Sequence, residues 1–317
     1  MSRVYQSCCY QRTSRISGEA QLKVNDVIII GAGPAGIAAA IQLKRYNITP
    51  LIIEKNEVGG LLRNANLVEN YPGFPSGISG SDLIGLFHKQ LDNNGLRVQY
   101  NEVLNVNYDN DLFSITTNKE DFFSKTLIIA SGTIPRKLSI PDIPEELDNK
   151  IFYDVYKIKD ENGKKIAIVG AGDAAFDYAV NLSGNNNEIL ILNRGNKTKC
   201  LPLLWDRYNN SSNIAYFENT IIKMIEKSSN NIKLTLYNAD VQAENEIDID
   251  YLLIAIGREP NLGFINDKFN EKIEELKNKD LLFVIGDVKN NIYRQTTICV
   301  GDGVKSAMQI YQKLSEI

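Results

Sequence analysis

The sequence predicts an α/β fold in which two nested units each carry a parallel sheet, and three observations predict it. Strand-like runs alternate with helical ones along the chain. One pattern, an apolar run followed by a glycine-rich turn and a helix, occurs twice: VIIIGAGPAGIAAAIQL from Val27 to Leu43, and IAIVGAGDAAFDYAVNL from Ile166 to Leu182. Two further apolar runs, each ending in glycine and followed by a proline-containing turn, bracket the second copy.

Taken in order, Val27–Ile30 is a continuous apolar run, as a strand covered on both faces should be. Gly36–Tyr46 has helical spacing and Leu51–Glu54 reads as the second strand. Ser81–Leu91 reads as a helix with Ser81 or Asp82 as its cap. Leu127–Gly132 (LIIASG) leads into Ile134-Pro135-Arg136. The first unit's pattern then returns at Ile166–Val169, Asp173–Leu182 and Glu188–Leu192. Leu252–Gly257 (LLIAIG) leads into Arg258-Glu259-Pro260-Asn261. The simplest organisation is nested: residues 24–132 and 262–317 form one domain and residues 136–257 form an inserted one. Residues 1–23 read as a tail. They hold Arg3, Arg12 and Arg15 and no acid before Glu19, a bias shared with organelle transit peptides, although the cytoplasm is the default location.

A chain of 317 residues has room for two domains. A net charge of −4 gives no electrostatic case for nucleic acid, and no apolar run approaches the roughly 18 residues of a membrane helix. The four cysteines, Cys8, Cys9, Cys200 and Cys299, form no C-x-x-C pair, and His88 is the single histidine, so no metal site is expected. Cys200 and Cys299 read as reduced thiols, and the adjacent Cys8 and Cys9 as incidental. His88 reads as a surface or packing residue and Trp205 as packing. Lys157, Lys159, Lys164 and Lys165 read as a solvated turn, with docking of an acidic carrier as the alternative.

Each glycine-rich turn has the context of a Rossmann-like dinucleotide site, because it follows a strand, opens a helix and lies in a βαβ unit. Gly31 and Gly170 allow the tight turn, Gly33 and Gly172 let the backbone approach a pyrophosphate, and Gly36 or Ala175 lets helix pack on strand. The two second strands end differently. Glu54 is placed to accept from a ribose 2′-OH, as in the ADP half of FAD. Asn193 stands at the matching position in the second unit, followed by Arg194, with Lys197 and Lys199 nearby. Losing the carboxylate and gaining cations favours NADPH, with NADH left open.

These motifs resemble the thioredoxin reductase-like flavoproteins over nearly the whole chain after residue 24. VENYPGFPSGISGSDL (Val68–Leu83) is similar to that family's flavin-side loop, and ASGTIPRKL to its domain joint. Ile285-Gly286-Asp287 is similar to its FAD motif, and Arg294-Gln295 with Gly301-Asp302-Gly303 to its last flavin-contacting segment. The resemblance implies noncovalent FAD, a nicotinamide nucleotide, a homodimer, and domain rotation during turnover. On the FAD side it implies Gly31, Gly33, Pro34, Ala35, Gly36, Glu54, Gly60, Leu61, Asn70, Gly132, Gly286, Asp287, Arg294, Gln295 and Thr296. On the nucleotide side it implies Gly170, Gly172, Asp173, Ala174 and Arg194.

Three departures from the family pattern matter. The family's leading redox cysteine falls seventeen positions before Gly170, at Tyr153, and its second falls at Tyr156. Tyrosine neither forms nor attacks a disulfide at neutral pH, so these two residues either stack on a cofactor ring or fill the vacated volume. Leu61 stands where the family has glutamine after Gly59-Gly60, which costs one polar flavin contact. The family's H-R-R reads Asn193-Arg194-Gly195. A branch without the cysteine pair, the thioredoxin-reductase-type ferredoxin/flavodoxin–NADP reductases, is the nearest functional analogue, and GAGDAAFDYA is similar to it. Its aromatic C-terminal extension has no counterpart before Ile317. The resemblance implies electron transfer between NAD(P)H and ferredoxin or flavodoxin through FAD, with no catalytic side chain. The alternatives are a thioredoxin reductase-like enzyme that uses a partner's thiols, and a nonredox flavin-binding or assembly protein.

Overall fold

The computed structural model describes residues 23–315, so Cys8, Cys9 and all of the expected tail but Lys23 lie outside the described residues. The chain opens with β1 (Val24–Ile30), α1 (Pro34–Arg45) and β2 (Leu51–Glu54), then a 3-10 turn over Gly60–Asn64 and α2 (Gly80–Asn93). β3 (Val98–Tyr100), β4 (Val103–Asp109), β5 (Leu112–Thr117) and β6 (Asp121–Ile129) follow, and β7 (Thr133–Pro135) leads out. The second unit holds β8 (Ile151–Phe152), a 3-10 turn over Val155–Lys157, β9 (Lys165–Val169), α3 (Asp173–Ser183), β10 (Glu188–Leu192), α4 (Pro202–Asn209) and β11 (Ile214–Phe217). β12 (Thr220–Ser228), β13 (Asn231–Asn238), β14 (Ala243–Ile249) and β15 (Tyr251–Ile254) complete it. β16 (Arg258–Pro260) leads back to α5 (Asp267–Asn270), α6 (Ile273–Asn278), β17 (Leu282–Val284) and α7 (Thr296–Ser315).

The first sheet runs β3-β2-β1-β6-β5-β4, with β17 also paired to β6. Its β3, β2, β1, β6 and β17 pairings are parallel. β6 divides one edge between two partners: residues 121–124 pair antiparallel with β5, and residues 127–129 pair with β17. The second sheet, β11-β10-β9-β15-β8, is parallel throughout. An antiparallel sheet of β12-β13-β14 packs on it, and the antiparallel ribbon of β7 and β16 carries both crossings between the units.

The burial of each central strand explains its unbroken apolar sequence. Val27 and Ile29 enter the core beneath α1 and α7, while Ile28 and Ile30 enter another with Phe113 and Phe269. In the second unit Ile166 and Ile168 pack under α3 while Ala167 faces the core with Ile232 and Leu234. A strand with two dry faces has no position left for a polar residue. Among the described residues no core cluster mixes residues of 24–132 or 262–315 with residues of 136–257.

Several boundaries differ from expectation. The cap of α2 is Ser79, whose Oγ accepts from the Asp82 amide at 3.0 Å, not Ser81 or Asp82. Gly80 opens that helix, and only glycine fits there, because a Cβ would lie 1.9 Å from the Leu62 carbonyl oxygen. The strand expected over Leu127–Gly132 ends at Ile129 and begins earlier, at Asp121, because its first half, paired between β1 and β5, mixes exposed and buried positions and carries no unbroken apolar run. Likewise the strand expected over Leu252–Gly257 ends at Ile254.

Candidate functional site

In the first loop Gly31 sits at φ 106°, and a Cβ there would meet the Ala130 carbonyl oxygen at 2.3 Å, so glycine is obligatory. Gly33, the cap of α1, has nothing within 4 Å of where its Cβ would be, so the space above the helix N-terminus is open. Pro34 begins the helix and Ala35 and Gly36 follow it in the first turn, which contains no acid. Glu54 accepts from the Ala32 amide and the Asn56 amide, both at 2.9 Å. Each carboxylate oxygen keeps lone-pair capacity for a further donor. Beside it opens a cavity of about 270 Å³ lined by Ile30, Gly31, Glu54, Ser131, Asn261 and Phe264.

The later motifs converge on this loop. A Cβ on Gly60 would lie 3.5 Å from the Gly33 Cα, and one on Gly286 would meet the Ala35 Cβ at 2.8 Å. Leu61 lies in the same 3-10 turn as Gly60, and Gly132, at φ 65°, begins the way out to β7. Asn70 Nδ2 donates to Gln295 Oε1 at 2.8 Å, which ties the Val68–Leu83 loop to the residue before Thr296 at the start of α7. Arg294 donates from Nη1 to the Arg258 carbonyl at 3.1 Å, while its buried Nε has no partner. A buried guanidinium N–H with no acceptor suits a ligand that supplies one.

Cys299 donates through Sγ to Asp287 Oδ1 at 3.1 Å. Burial, with the Asp287 carboxylate beside it, pushes the Cys299 thiol well above its usual range. It is therefore a protonated donor that orients Asp287, not a nucleophile. Asp302 accepts from the Gly286 amide at 3.1 Å and from Asn290 Nδ2 at 2.8 Å, holding the loop that carries Asp287. Gly303, expected in a flavin-contacting segment, lies against α1, where a Cβ would stand 2.3 Å from the Ala35 carbonyl oxygen.

The second loop repeats the first. Gly170 sits at φ 134° against the Ala255 carbonyl, and Gly172 caps α3 with open space above it. Ala175, at the third glycine position, is fully buried, as a helix–strand contact needs. Asp173 and Ala174 form the first turn of α3, and Asp173 Oδ1 accepts from the Leu201 amide at 2.7 Å. The Lys199 amide donates to the Ala171 carbonyl at 2.8 Å, so the segment after β10 folds back over the loop. Asn193 is buried and turned inward. Its Nδ2 donates to the Lys197 carbonyl and to the Tyr216 hydroxyl, and its Oδ1 accepts from the Gly195 amide. Asn193 thus shapes the loop, while Arg194, Lys197 and Lys199 stand exposed around it.

The tyrosines at the two expected cysteine positions differ. Tyr153 packs against the core of Leu190, Ile225 and Ile254, so volume filling describes it. Tyr156 is 39% exposed, with the Lys159 ammonium 4.8 Å and the Arg63 guanidinium 5.4 Å from its ring centre. Lys165 pairs with Glu188, so it is not a free surface cation. His88 is exposed beside Asp92, and Trp205 packs against Phe176, Tyr208 and Tyr216.

Sequence patterns alone did not reveal the polar residues between the units: Asn64, Asp154, Asp177 and Arg258. Asp177 falls within the GAGDAAFDYA run and Asp154 between Tyr153 and Tyr156, but neither was read as a site residue, and only tertiary contact distinguishes the four. Asp177, on α3, accepts from the Asn66 amide at 3.3 Å. Burial pushes its carboxyl up to about 6, against the opposing pull of the Asn66 amide and Arg207.

Two dinucleotide-type loops, each at the carboxyl ends of parallel strands, mark a protein built to hold two nucleotides. A family model described as pyridine nucleotide-disulphide oxidoreductase matches residues 25–303, and the chain belongs to that family. Within it the chain is a thioredoxin reductase-like flavoprotein. It is 31% identical over 303 residues to the thioredoxin reductase of Mycoplasma genitalium, covering 90% of this chain and 94% of that one. It is 29% identical over 294 residues to a 34.2 kDa protein in the rubredoxin operon of Clostridium pasteurianum, covering 89% and 95%. The solved thioredoxin reductase of Lactococcus lactis in its FR conformation superposes with a TM-score of 0.82 at 26% identity, covering 92% of this chain and 100% of that one. FAD and NADPH are the cofactors of the thioredoxin reductase-like family. Among the described residues no helix is long and apolar enough to cross a membrane, and no cluster of acidic, His and Cys side chains is placed to hold a metal.

Proposed function

We propose that the chain is an FAD-dependent NADPH oxidoreductase that exchanges electrons with a one-electron protein carrier such as ferredoxin or flavodoxin, without an internal disulfide. The observation that carries this reading is the pair Tyr153 and Tyr156 at the two redox positions. It is joined by the state of the described cysteines: Cys299 is buried and held protonated, and Cys200 is unpaired. Disulfide reduction runs through a thiolate and a mixed disulfide, so it needs a dithiol that these residues do not supply. The relative encoded in a rubredoxin operon favours a carrier of the same kind.

In this reading residues 24–132 and 262–317 form the FAD domain and residues 136–257 the NADPH domain. FAD fits the first site: the cavity accommodates an adenosine end with Glu54 on its ribose, and the bare N-terminus of α1 meets the pyrophosphate. Asp287 receives the ribitol, while Asn70, Arg294 and Gln295 hold the ring end. Arg294 Nε gains there the acceptor it lacks. Gly170, Gly172 and Ala174 seat the second nucleotide. Arg194, with Lys197 and Lys199 beside it, meets a 2′-phosphate. Bound FAD supplies the conversion between a two-electron donor and a one-electron acceptor. The side chains bind, orient and exclude water, and none attacks the substrate. The working form is a homodimer in the cytoplasm.

The test is steady-state NADPH turnover of wild type and a Cys200→Ser, Cys299→Ser double variant with ferredoxin, flavodoxin, rubredoxin and thioredoxin in parallel. The expected result is reduction of a one-electron carrier that both proteins share and poor activity on thioredoxin. Strong thioredoxin reduction that disappears in the double variant would establish a relocated thiol relay and defeat the proposal. Thioredoxin reduction that persists in it would favour the reading in which the thiols belong to a partner.

A further inference from the structure

On the reading that FAD occupies the first site, we infer that Cys299 and Asp302, three positions apart on one face of α7, set the Asp287 carboxylate for the FAD ribitol. Asp287 lies in the 3-10 turn Gly286–Val288, with Ile285 and Val288 buried on either side of it. Gly286, at φ 74°, lies against Ala35 in the first turn of α1, which brings Asp287 beside the first nucleotide loop. The last torsion of an aspartate is broad, so a carboxylate without a fixed partner samples many settings. Here Cys299 Sγ donates to Oδ1 at 3.1 Å, and that thiol is the only side-chain partner of Asp287 among the described residues. The contact restricts the carboxylate and leaves Oδ2 uncommitted, as an acceptor for a ribityl hydroxyl.

Asp302 holds the backbone beneath. Its Oδ2 accepts from the Gly286 amide at 3.1 Å and from Asn290 Nδ2 at 2.8 Å, on either side of Asp287 in sequence. The turn also closes on itself, since the Lys289 and Asn290 amides donate to the Gly286 carbonyl. One residue of α7 therefore fixes the turn, and another fixes the side chain that the turn carries. Cysteine suits the second task. It belongs to the apolar core shared by α1 and α7, and a thiol packs as a small hydrophobe while keeping one weak donor. Burial keeps that donor protonated beside the carboxylate. Cys299 and Asp302 are positioning residues. They and Asp287 all lie in one unit, so their arrangement does not depend on how the two units are set.

The experiment takes two readouts from the purified flavoprotein. One is FAD release on dilution, followed by the fluorescence that free flavin regains. The other is the infrared S–H stretch of Cys299, isolated by subtracting the spectrum of the matching protein that carries C299S. The variants are C299A, C299S, D302A and D287A. C299A and D302A are expected to release FAD on the order of tenfold faster, the scale of one lost hydrogen bond to a charged group, and C299S to stay within about twofold of wild type. A packing role predicts the reverse order for position 299, because a buried hydroxyl disturbs an apolar site more than a methyl does. The S–H band is expected at the low frequency of a hydrogen-bonded thiol and is expected to rise in D287A. Release from C299A no faster than from C299S, or an S–H band that D287A leaves in place, would overturn the role of Cys299. Wild-type release from D302A would overturn that of Asp302. A wild type that takes up no added FAD would defeat the FAD reading and this inference together. Neither readout involves an electron acceptor, so failure of the inference alone stays distinguishable from failure of the proposed function.

Discussion

Asp177 is the residue whose chemistry departs most from what its type suggests. Its carboxyl is raised to about 6 because burial between α3 and the 64–69 segment outweighs the help of the Asn66 amide. Arg207 on α4 lowers it, while Asp173 on α3 and Glu69 across the joint raise it further. A carboxyl raised in the folded state carries no penalty below its ordinary value near 4. The penalty grows as pH rises between 4 and 6 and is complete above 6. Asp177→Asn keeps an acceptor for the Asn66 amide and removes the charge. We expect it to stabilise the chain at pH 8 by roughly 1–3 kcal/mol, with the gain vanishing toward pH 4. Thermal melts across that range check this; equal melting temperatures at pH 8 would show that the burial is relieved by solvent. Arg194→Ala should raise the Michaelis constant for NADPH more than for NADH, since a lone guanidinium meets only the 2′-phosphate. Equal effects on both would remove Arg194 from the phosphate site. The glycines, Glu54 and Arg194 were legible because fixed backbone needs impose residue types. Asn64, Asp154 and Asp177 were not, because an exposed polar residue and one buried at a joint look alike in sequence.

At the scale of elements, the central strands and the helices of both loops were legible because a strand dry on both faces reads as an unbroken apolar run and the glycine-rich turn marks the helix that follows. β2 and β10 run Leu51–Glu54 and Glu188–Leu192, as read from the sequence. β3, β4, β5 and the β12–β14 sheet were not read, since their mixed polar alternation is also what a loop shows. The contact of α1 with α7 was missed for another reason: its signal is an absence of side chain. Gly303 on α7 lies against Ala35, Ala38 and Ala39. Gly303→Ala places a methyl 2.3 Å from the Ala35 carbonyl oxygen, which is backbone and cannot turn aside. The helices must separate, at a cost of roughly 1–3 kcal/mol. Because Ala35 lies in the first turn after Gly33, the same shift should loosen FAD. Chemical denaturation and the flavin content of the purified variant check both effects. A wild-type midpoint with full flavin would mean that α7 slides without cost.

At the scale of the molecule, the separate cores make a claim about how the chain unfolds. One pair of clusters is built from residues 27–130 and 264–310, the other from residues 147–254. Cooperative unfolding needs a shared core or a strong interface, and here the units meet through polar contacts and the β7–β16 crossing. Each unit also has its own nucleotide loop. A ligand that binds only the folded form stabilises it by about 2.7 kcal/mol at 100 times its dissociation constant. Calorimetry of the full chain should therefore show two transitions, with added FAD raising one and NADP+ raising the other. A single transition that both ligands raise equally would mean that the joint is as cohesive as a core. The two nested units would then fold as one.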